Sequence, residues 1–165
     1  MSRKSLINYL ANGFVLLIPV FLWNIFLTSR LPKAYQVQNF WSNIPRLVVI
    51  TETVFRMMVF TLPLFLKLGY KEAQQKLGWF LYLAGLGIYF ASWLMQMYFP
   101  GSSWSQSAIG FTAPAFTSAF WLIGIGLIGQ SLFFKVPYHY SVYIGLTMGF
   151  VLSHSLHAYL VYVRI

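Results

Sequence analysis

The chain lacks cysteine altogether, and its 165 residues include only two acidic side chains. Without cysteine the protein forms no disulfide, carries no thiolate nucleophile and holds no iron–sulfur cluster through thiolates. The same absence removes the residue from which a redox compartment is usually inferred.

Charge of either sign is scarce, and apolar residues dominate. Charged residues make up 8% of the chain and hydrophobic residues 59%, whereas soluble domains carry roughly 25% charged residues. A soluble core of this size could not bury so much apolar surface, so lipid is the natural solvent. The apolar runs are long and do not alternate with period two, which excludes a barrel. Because a spanning backbone must satisfy its own hydrogen bonds, the sequence predicts an all-α, polytopic integral membrane bundle in one domain, 1–165.

The apolar runs predict five transmembrane helices, each near the ~20 residues that a bilayer core requires. They cover residues 6–27, 44–68, 77–99, 109–134 and 140–162. Pro19 predicts a kink in the first helix, and no small-residue cleavage site follows, so we interpret that helix as retained rather than as a signal peptide. Residues 33–42 place apolar side chains at helical spacing and predict a short interfacial segment, with a lid over a pocket as the alternative.

The basic residues predict an orientation and a class of partner. The net charge is +9. With the N-terminus in the cytoplasm, the inner segments hold six basic residues and the outer segments four. The bias predicts a cytoplasmic N-terminus and an external C-terminus in a plasma or bacterial inner membrane. Because the basic residues form no dense run, we expect contact with membrane lipids and not with nucleic acid.

One carboxylate, Glu52, falls inside a predicted span, and Arg56 follows four residues later. A charge at membrane depth is costly and usually faces the bundle interior. Glu52 lies ~12 Å from the end of the second helix at the helical rise of ~1.5 Å per residue, and His154 lies ~12 Å from the end of the fifth. The matching depths predict one polar site in the outer half of the bundle, formed by Glu52, Arg56, His154 and His157. Neutral polar side chains at this level extend the predicted ligand-binding set to Ser92, Gln96 and Thr117.

The fifth predicted helix carries two distinct faces. Tyr143, Thr147 and the two histidines form one stripe, while Gly145 and Gly149 lie on another. Small residues at a spacing of four allow helix backbones to approach closely. We therefore expect Gly145 and Gly149 both to contact a neighbouring helix.

Three kinds of chemistry are open to the predicted polar site. Glu52 and Arg56 could be a purely structural ion pair, in the favourable order for a helix. Glu52 or His154 could serve as a general acid or base. His154, His157 and Glu52 could also hold a metal, but the chain has no HExxH motif and no third histidine at that depth, so we predict neither metal nor cofactor.

The function that these features favour is a small multi-pass membrane protein with an outward-opening polar cavity. That cavity would bind, and could transport, an amphipathic or anionic small molecule. The first alternative is an intramembrane enzyme that acts on a lipid or isoprenoid by general acid–base chemistry. The second is a non-catalytic scaffold subunit. A homo-oligomer or a partner membrane subunit remains open in each case.

Overall fold

The computed structural model describes residues 12–165 and contains five helical segments long and apolar enough to cross a membrane. These spans are Gly13–Arg30, Arg46–Phe65, Ala73–Tyr98, Ala108–Ile128 and Tyr140–Tyr162. The prediction of an all-α bundle with five spans is confirmed. Residues 6–11 of the first predicted helix lie outside the described residues.

The first and fourth spans are not single continuous α-helices. The first begins with a 3₁₀ helix, Gly13–Leu17, continues as an α-helix, Ile18–Leu27, and ends in a 3₁₀ turn, Thr28–Arg30. Pro19 lies in the first turn of the α-helical part, where its missing N–H is tolerated. The fourth span divides at Thr117 into two α-helices, Ala108–Phe116 and Ser118–Ile128.

The second and fourth predicted helices were too long, because each ends in a short strand. The second span is α-helical over Arg46–Thr61 and 3₁₀ over Leu62–Phe65, and strand β1, Leu66–Leu68, follows. Strand β2, Gly129–Leu132, follows the fourth span and pairs antiparallel with β1. Pro63 cannot donate to the preceding turn, and Gly129 adopts an extended conformation, so both helices stop early. The ladder then satisfies backbone groups that would otherwise be unpaired near lipid.

The strands and the loops define two ends of the bundle. We call the end with strands β1 and β2 the ribbon face. The opposite end, which carries Arg30, Arg46, Tyr98, Ala108 and Tyr162, is called the C-terminal face.

Two prolines leave backbone carbonyls without their helical partners, and side chains of other spans replace those partners. Pro63 has no N–H for the carbonyl of Val59, and the Tyr143 hydroxyl donates to that oxygen at 3.1 Å. Pro114 likewise leaves the carbonyl of Gly110, to which the Gln96 amide donates at 2.7 Å. These bonds tie the second span to the fifth and the third span to the fourth.

The fourth span is the centre of the bundle. In its most apolar stretch of 18 residues 78% are buried, whereas the corresponding share in the other spans does not exceed 39%. Its closest neighbour is the third span, and glycines bring the two backbones together. A Cβ built on Gly85 would lie 2.5 Å from the backbone nitrogen of Trp121, and one on Gly124 would lie 2.8 Å from the carbonyl oxygen of Gly78. This glycine contact is the close helix approach that we expected on the fifth span.

The glycine prediction for the fifth span is half right. Gly149 lies against the ring of Phe55 in the second span, and a Cβ there would meet that ring at 2.5 Å. Gly145 has open space around it, so the expectation that it contacts a neighbouring helix was wrong. The fifth span therefore uses one of the two glycines for close contact with the second span.

The segment between the first two spans forms two short turns instead of one interfacial helix. They are a 3₁₀ turn, Lys33–Tyr35, and a one-turn α-helix, Val37–Phe40. Asn43 follows with φ of 53°, the one non-glycine residue in the left-handed region among those described. We call residues 31–43 the connecting segment.

Candidate functional site

Glu52 is fully buried and lies at the centre of a polar cluster. Its Oε1 accepts from the Arg56 guanidinium one turn away and lies 2.9 Å from His154 Nδ1. Its Oε2 lies 2.5 Å from His157 Nδ1. The predicted convergence of these four side chains is confirmed, in the half of the bundle next to the C-terminal face.

The hydrogens on the two ring nitrogens of His157 follow from its two hydrogen-bond partners. Nε2 lies 2.9 Å from the carbonyl oxygen of Phe40, which can only accept, so Nε2 carries a hydrogen and donates. One further proton lies between Nδ1 and Glu52 Oε2. The pair therefore holds that proton whether it is drawn as imidazolium and carboxylate or as imidazole and carboxylic acid. His157 itself is fully buried, and its ring stacks on Phe40 with centroids 4.3 Å apart.

His154 and Arg56 form the accessible side of the cluster. The His154 side chain is 23% exposed and stacks on Phe150, with ring centroids 5.3 Å apart. Its Nδ1 faces Glu52, while its Nε2 makes no hydrogen bond within the part of the chain that the structure describes. The Arg56 side chain is 32% exposed, and its guanidinium lies 5.1 Å from the ring centroid of Trp41.

A cavity of about 310 Å³ lies beside the cluster and draws its walls from all five spans and the connecting segment. Arg56 and His154 line it, whereas Glu52 and His157 lie behind that wall. Most of the remaining wall is apolar or aromatic. Within the described residues, Arg56 is the one lysine, arginine or carboxylate side chain that lines this cavity. A concave, mostly apolar site with a few polar groups is the usual form of a ligand pocket.

Three predicted ligand-binding residues make their hydrogen bonds elsewhere. Ser92 and Thr117 donate to the backbone carbonyls of Tyr89 and Ala113 in their own helices, each at 2.7 Å. The Gln96 amide donates to the carbonyl of Gly110, which Pro114 leaves unpaired, and Gln96 lines a separate cavity near the C-terminal face. None of the three is among the residues that line the cavity beside Arg56.

The connecting segment forms part of the cavity wall, in agreement with the lid predicted as the alternative for residues 33–42, although none of its residues was among the predicted ligand-binding side chains. Tyr35, Phe40 and Trp41 all line the cavity. The Tyr35 hydroxyl donates to the carbonyl oxygen of Phe111 at 2.7 Å, and the two rings stack with centroids 4.5 Å apart. Burial raises the pKa of the Tyr35 hydroxyl above its usual range, so it remains a proton donor at neutral pH. Three aromatic residues within seven positions of a polar loop were the available signal.

The cluster is arranged for hydrogen bonding. Among residues 12–165 no group of three or more His, Cys, Asp or Glu side chains is positioned to hold a metal ion. Each histidine instead directs Nδ1 to a different oxygen of the same carboxylate.

No protein-family model, curated protein or solved structure matches this chain.

The other acidic residue has a local structural role. Glu72 precedes the third span and forms a reciprocal capping box with Gln75, which satisfies backbone donors at the helix start. Glu52 is consequently the one carboxylate side chain within the spans, and the cluster around it is where charged groups meet at membrane depth.

Proposed function

We propose that this membrane protein binds an amphipathic ligand with an anionic head in the cavity beside Arg56. The observation that carries the proposal is the charge of the wall. Arg56 and His154 line the cavity, and the carboxylate that could repel an anion is fully buried behind them. Transport of that ligand is the activity that the same cavity would serve.

The Glu52 cluster supports an anion site for an electrostatic reason. Glu52 is shared among three nitrogen donors, so its charge is compensated within the cluster. Arg56 has five N–H donors, and those that Glu52 does not use remain available to a ligand. Attraction between opposite charges is stronger beside an apolar wall than in water. The rings of Trp41 and Phe150 flank the guanidinium and would contact the apolar part of the ligand.

The direct test is binding of octyl phosphate to the full chain in an uncharged detergent. Trp41, Trp93 and Trp121 line the cavity, so tryptophan fluorescence reports on occupancy. We expect Arg56→Ala to weaken binding about tenfold or more, the usual value of a hydrogen bond to a charged group. Arg46→Ala, an exposed arginine outside the cavity, is the matched control. Equal binding by both variants would contradict the proposal.

A second candidate function is catalysis on a lipid or isoprenoid. The observation that favours it is the carboxylate–imidazole pair, in which Glu52 orients His154 while Nε2 remains free to exchange a proton. That arrangement suits a general acid or base. An enzyme would lose turnover but keep ligand binding in Glu52→Gln and His154→Gln. A scaffold subunit would tolerate Arg56→Ala and Glu52→Gln alike.

A further inference from the structure

The contacts between the first and second spans lie toward the ribbon face. Gly13 lies against Pro63 and Leu66, where a Cβ would come within 3.0 and 3.2 Å of their atoms. Farther along, the rings of Phe21 and Phe60 pair at 5.7 Å. From that pair to the C-terminal face no hydrogen bond or ring contact joins the two spans within the described residues.

Packed side chains lie on two other sides of the cavity. The first span meets the third through Trp23 and Phe90, whose rings stack 4.3 Å apart. Toward the ribbon face, Leu122 and Ile125 are fully buried in the core.

The connecting segment covers the end of the cavity at the C-terminal face. Tyr35 donates to the carbonyl of Phe111, and His157 Nε2 donates to the carbonyl of Phe40. Arg164 also donates to the carbonyls of Asn39 and Ser42 in the same segment. Within the described residues, the gap between the first two spans is therefore the side of the cavity that no such contact closes.

Polar side chains that line the cavity form a path of increasing depth, and Asn24 on this path also accepts a hydrogen bond from the Tyr89 hydroxyl of the third span at 3.4 Å. Thr28 and Asn24 of the first span line the cavity, as does Arg56 of the second. At the helical rise, Thr28 lies ~3 Å, Asn24 ~9 Å and Arg56 ~15 Å from the ends of their spans at the C-terminal face. Asn24 is exposed even though it lies among apolar neighbours at membrane depth. The first residues of this path would lie at headgroup level and the last well inside the hydrocarbon.

We infer that the gap between the first and second spans is a lateral opening through which an anionic membrane lipid places its headgroup at Arg56 while its acyl chains stay in the bilayer. The inference rests on the proposed function and names the ligand class and its route. Charge complementarity selects an anionic head, since Arg56 ends the path and no carboxylate side chain among the described residues lines the cavity. The open side faces lipid, so the acyl chains need not enter the bundle.

The test uses the full chain in nanodiscs of phosphatidylcholine with added phosphatidylglycerol, released into native mass spectrometry to count retained lipids. Asn24→Trp fills the gap. Ile25→Trp is the matched control, because Ile25 is 71% exposed on the same helix and does not line the cavity. We expect the wild-type chain and Ile25→Trp to retain phosphatidylglycerol in preference to phosphatidylcholine. Arg56→Ala should lower that preference about tenfold, and Asn24→Trp should lose most of the bound phosphatidylglycerol.

Octyl phosphate separates failure of this inference from failure of the proposed function. Ile25→Trp should bind octyl phosphate like the wild-type chain, because Ile25 does not line the cavity. Retention of phosphatidylglycerol by Asn24→Trp, or loss of the preference for phosphatidylglycerol in a wild-type chain that still binds octyl phosphate, would overturn the lateral opening alone. Unchanged binding of both probes by Arg56→Ala would overturn the proposed function as well. Thr28→Phe replaces Asn24→Trp if the latter is not monodisperse and helical.

Discussion

At the scale of single residues, Glu52 determines the chemistry of the cluster. A fully buried carboxylate is costly unless donors compensate it. Three donors do so here, and they differ in exposure. His157 is completely enclosed and bonded at both ring nitrogens, whereas His154 and Arg56 border the cavity. The same carboxylate therefore holds one histidine in the closed interior and another at the cavity wall.

Removal of His157 should destabilise the bundle more than removal of His154. His157→Ala leaves Glu52 Oε2 and the Phe40 carbonyl unpaired in a closed site, so we expect a loss of about 3–5 kcal/mol. His154→Ala opens onto the cavity, where water can replace the imidazole, and should cost less. The free energy of unfolding in mixed micelles of mild and denaturing detergent is the measurement. Equal losses would mean that burial does not distinguish the two histidines.

The Tyr143 hydroxyl should contribute to stability through the carbonyl that Pro63 leaves unpaired. Tyr143→Phe keeps the ring but removes the donor to Val59, so we expect a loss of about 1–3 kcal/mol. Tyr140→Phe, at an exposed tyrosine one turn away, serves as control. The two variants are compared by the same unfolding measurement. If Tyr143→Phe leaves the free energy of unfolding unchanged, the Val59 carbonyl finds another partner.

At the scale of elements, the third and fourth spans form the closest pair. Gly78 and Gly85 of the third span and Gly124 of the fourth allow this approach. Gly87, also in the third span, faces open space. Small residues at such positions replace side-chain contact with backbone contact, which is the usual means of close packing between membrane helices. Composition alone does not distinguish a glycine at a helix contact from a glycine that faces open space.

Gly85→Ala and Gly87→Ala should have effects of opposite sign. The added methyl at position 85 would lie 2.5 Å from the backbone nitrogen of Trp121, which cannot move without the helix, so we expect a loss of about 1–3 kcal/mol. At position 87 the methyl meets nothing, and the helical preference of alanine should stabilise by up to about 1 kcal/mol. Unfolding in mixed micelles measures both. A loss at both positions would indicate that the third span packs on a second surface.

At the scale of the whole molecule, the five spans place the polar cluster and the cavity in one half of the bundle. The ribbon-face half is closed by packed apolar side chains such as Leu17, Val59 and Ile128, all fully buried. The cavity therefore belongs to the half next to the C-terminal face, and the orientation of the chain decides which compartment that half faces.

The distribution of basic residues predicts that the C-terminal face lies outside. Single cysteines at Ser103 and Lys135 provide the test, because both positions are exposed and the natural chain has no cysteine to interfere. We expect an impermeant maleimide added to intact cells to label Ser103→Cys and not Lys135→Cys. The reverse pattern would invert the orientation and leave the number of spans unchanged.

The sequence by itself determined the membrane-spanning class, the five spans and the level of the polar site. Composition decides the solvent, and the constant rise of a helix converts residue number into depth, so Glu52 and His154 could be matched without coordinates. A proline four residues after Val59 also determined that the Val59 carbonyl would lack its helical hydrogen-bond donor.

Only the tertiary structure decided which partners meet. Tyr143 and Gln96 donate to the unpaired carbonyls because the rotation of each helix about its axis and the crossing angle between helices bring these side chains there. Neither the rotation nor the crossing angle follows from the depth of a residue. Ser92, Gln96 and Thr117 lie near the right level but bond to backbone, since level does not specify the direction of a side chain. The gap between the first two spans depends on how far apart two helices stand. That distance arises from the packing of side chains on both, which no single span encodes.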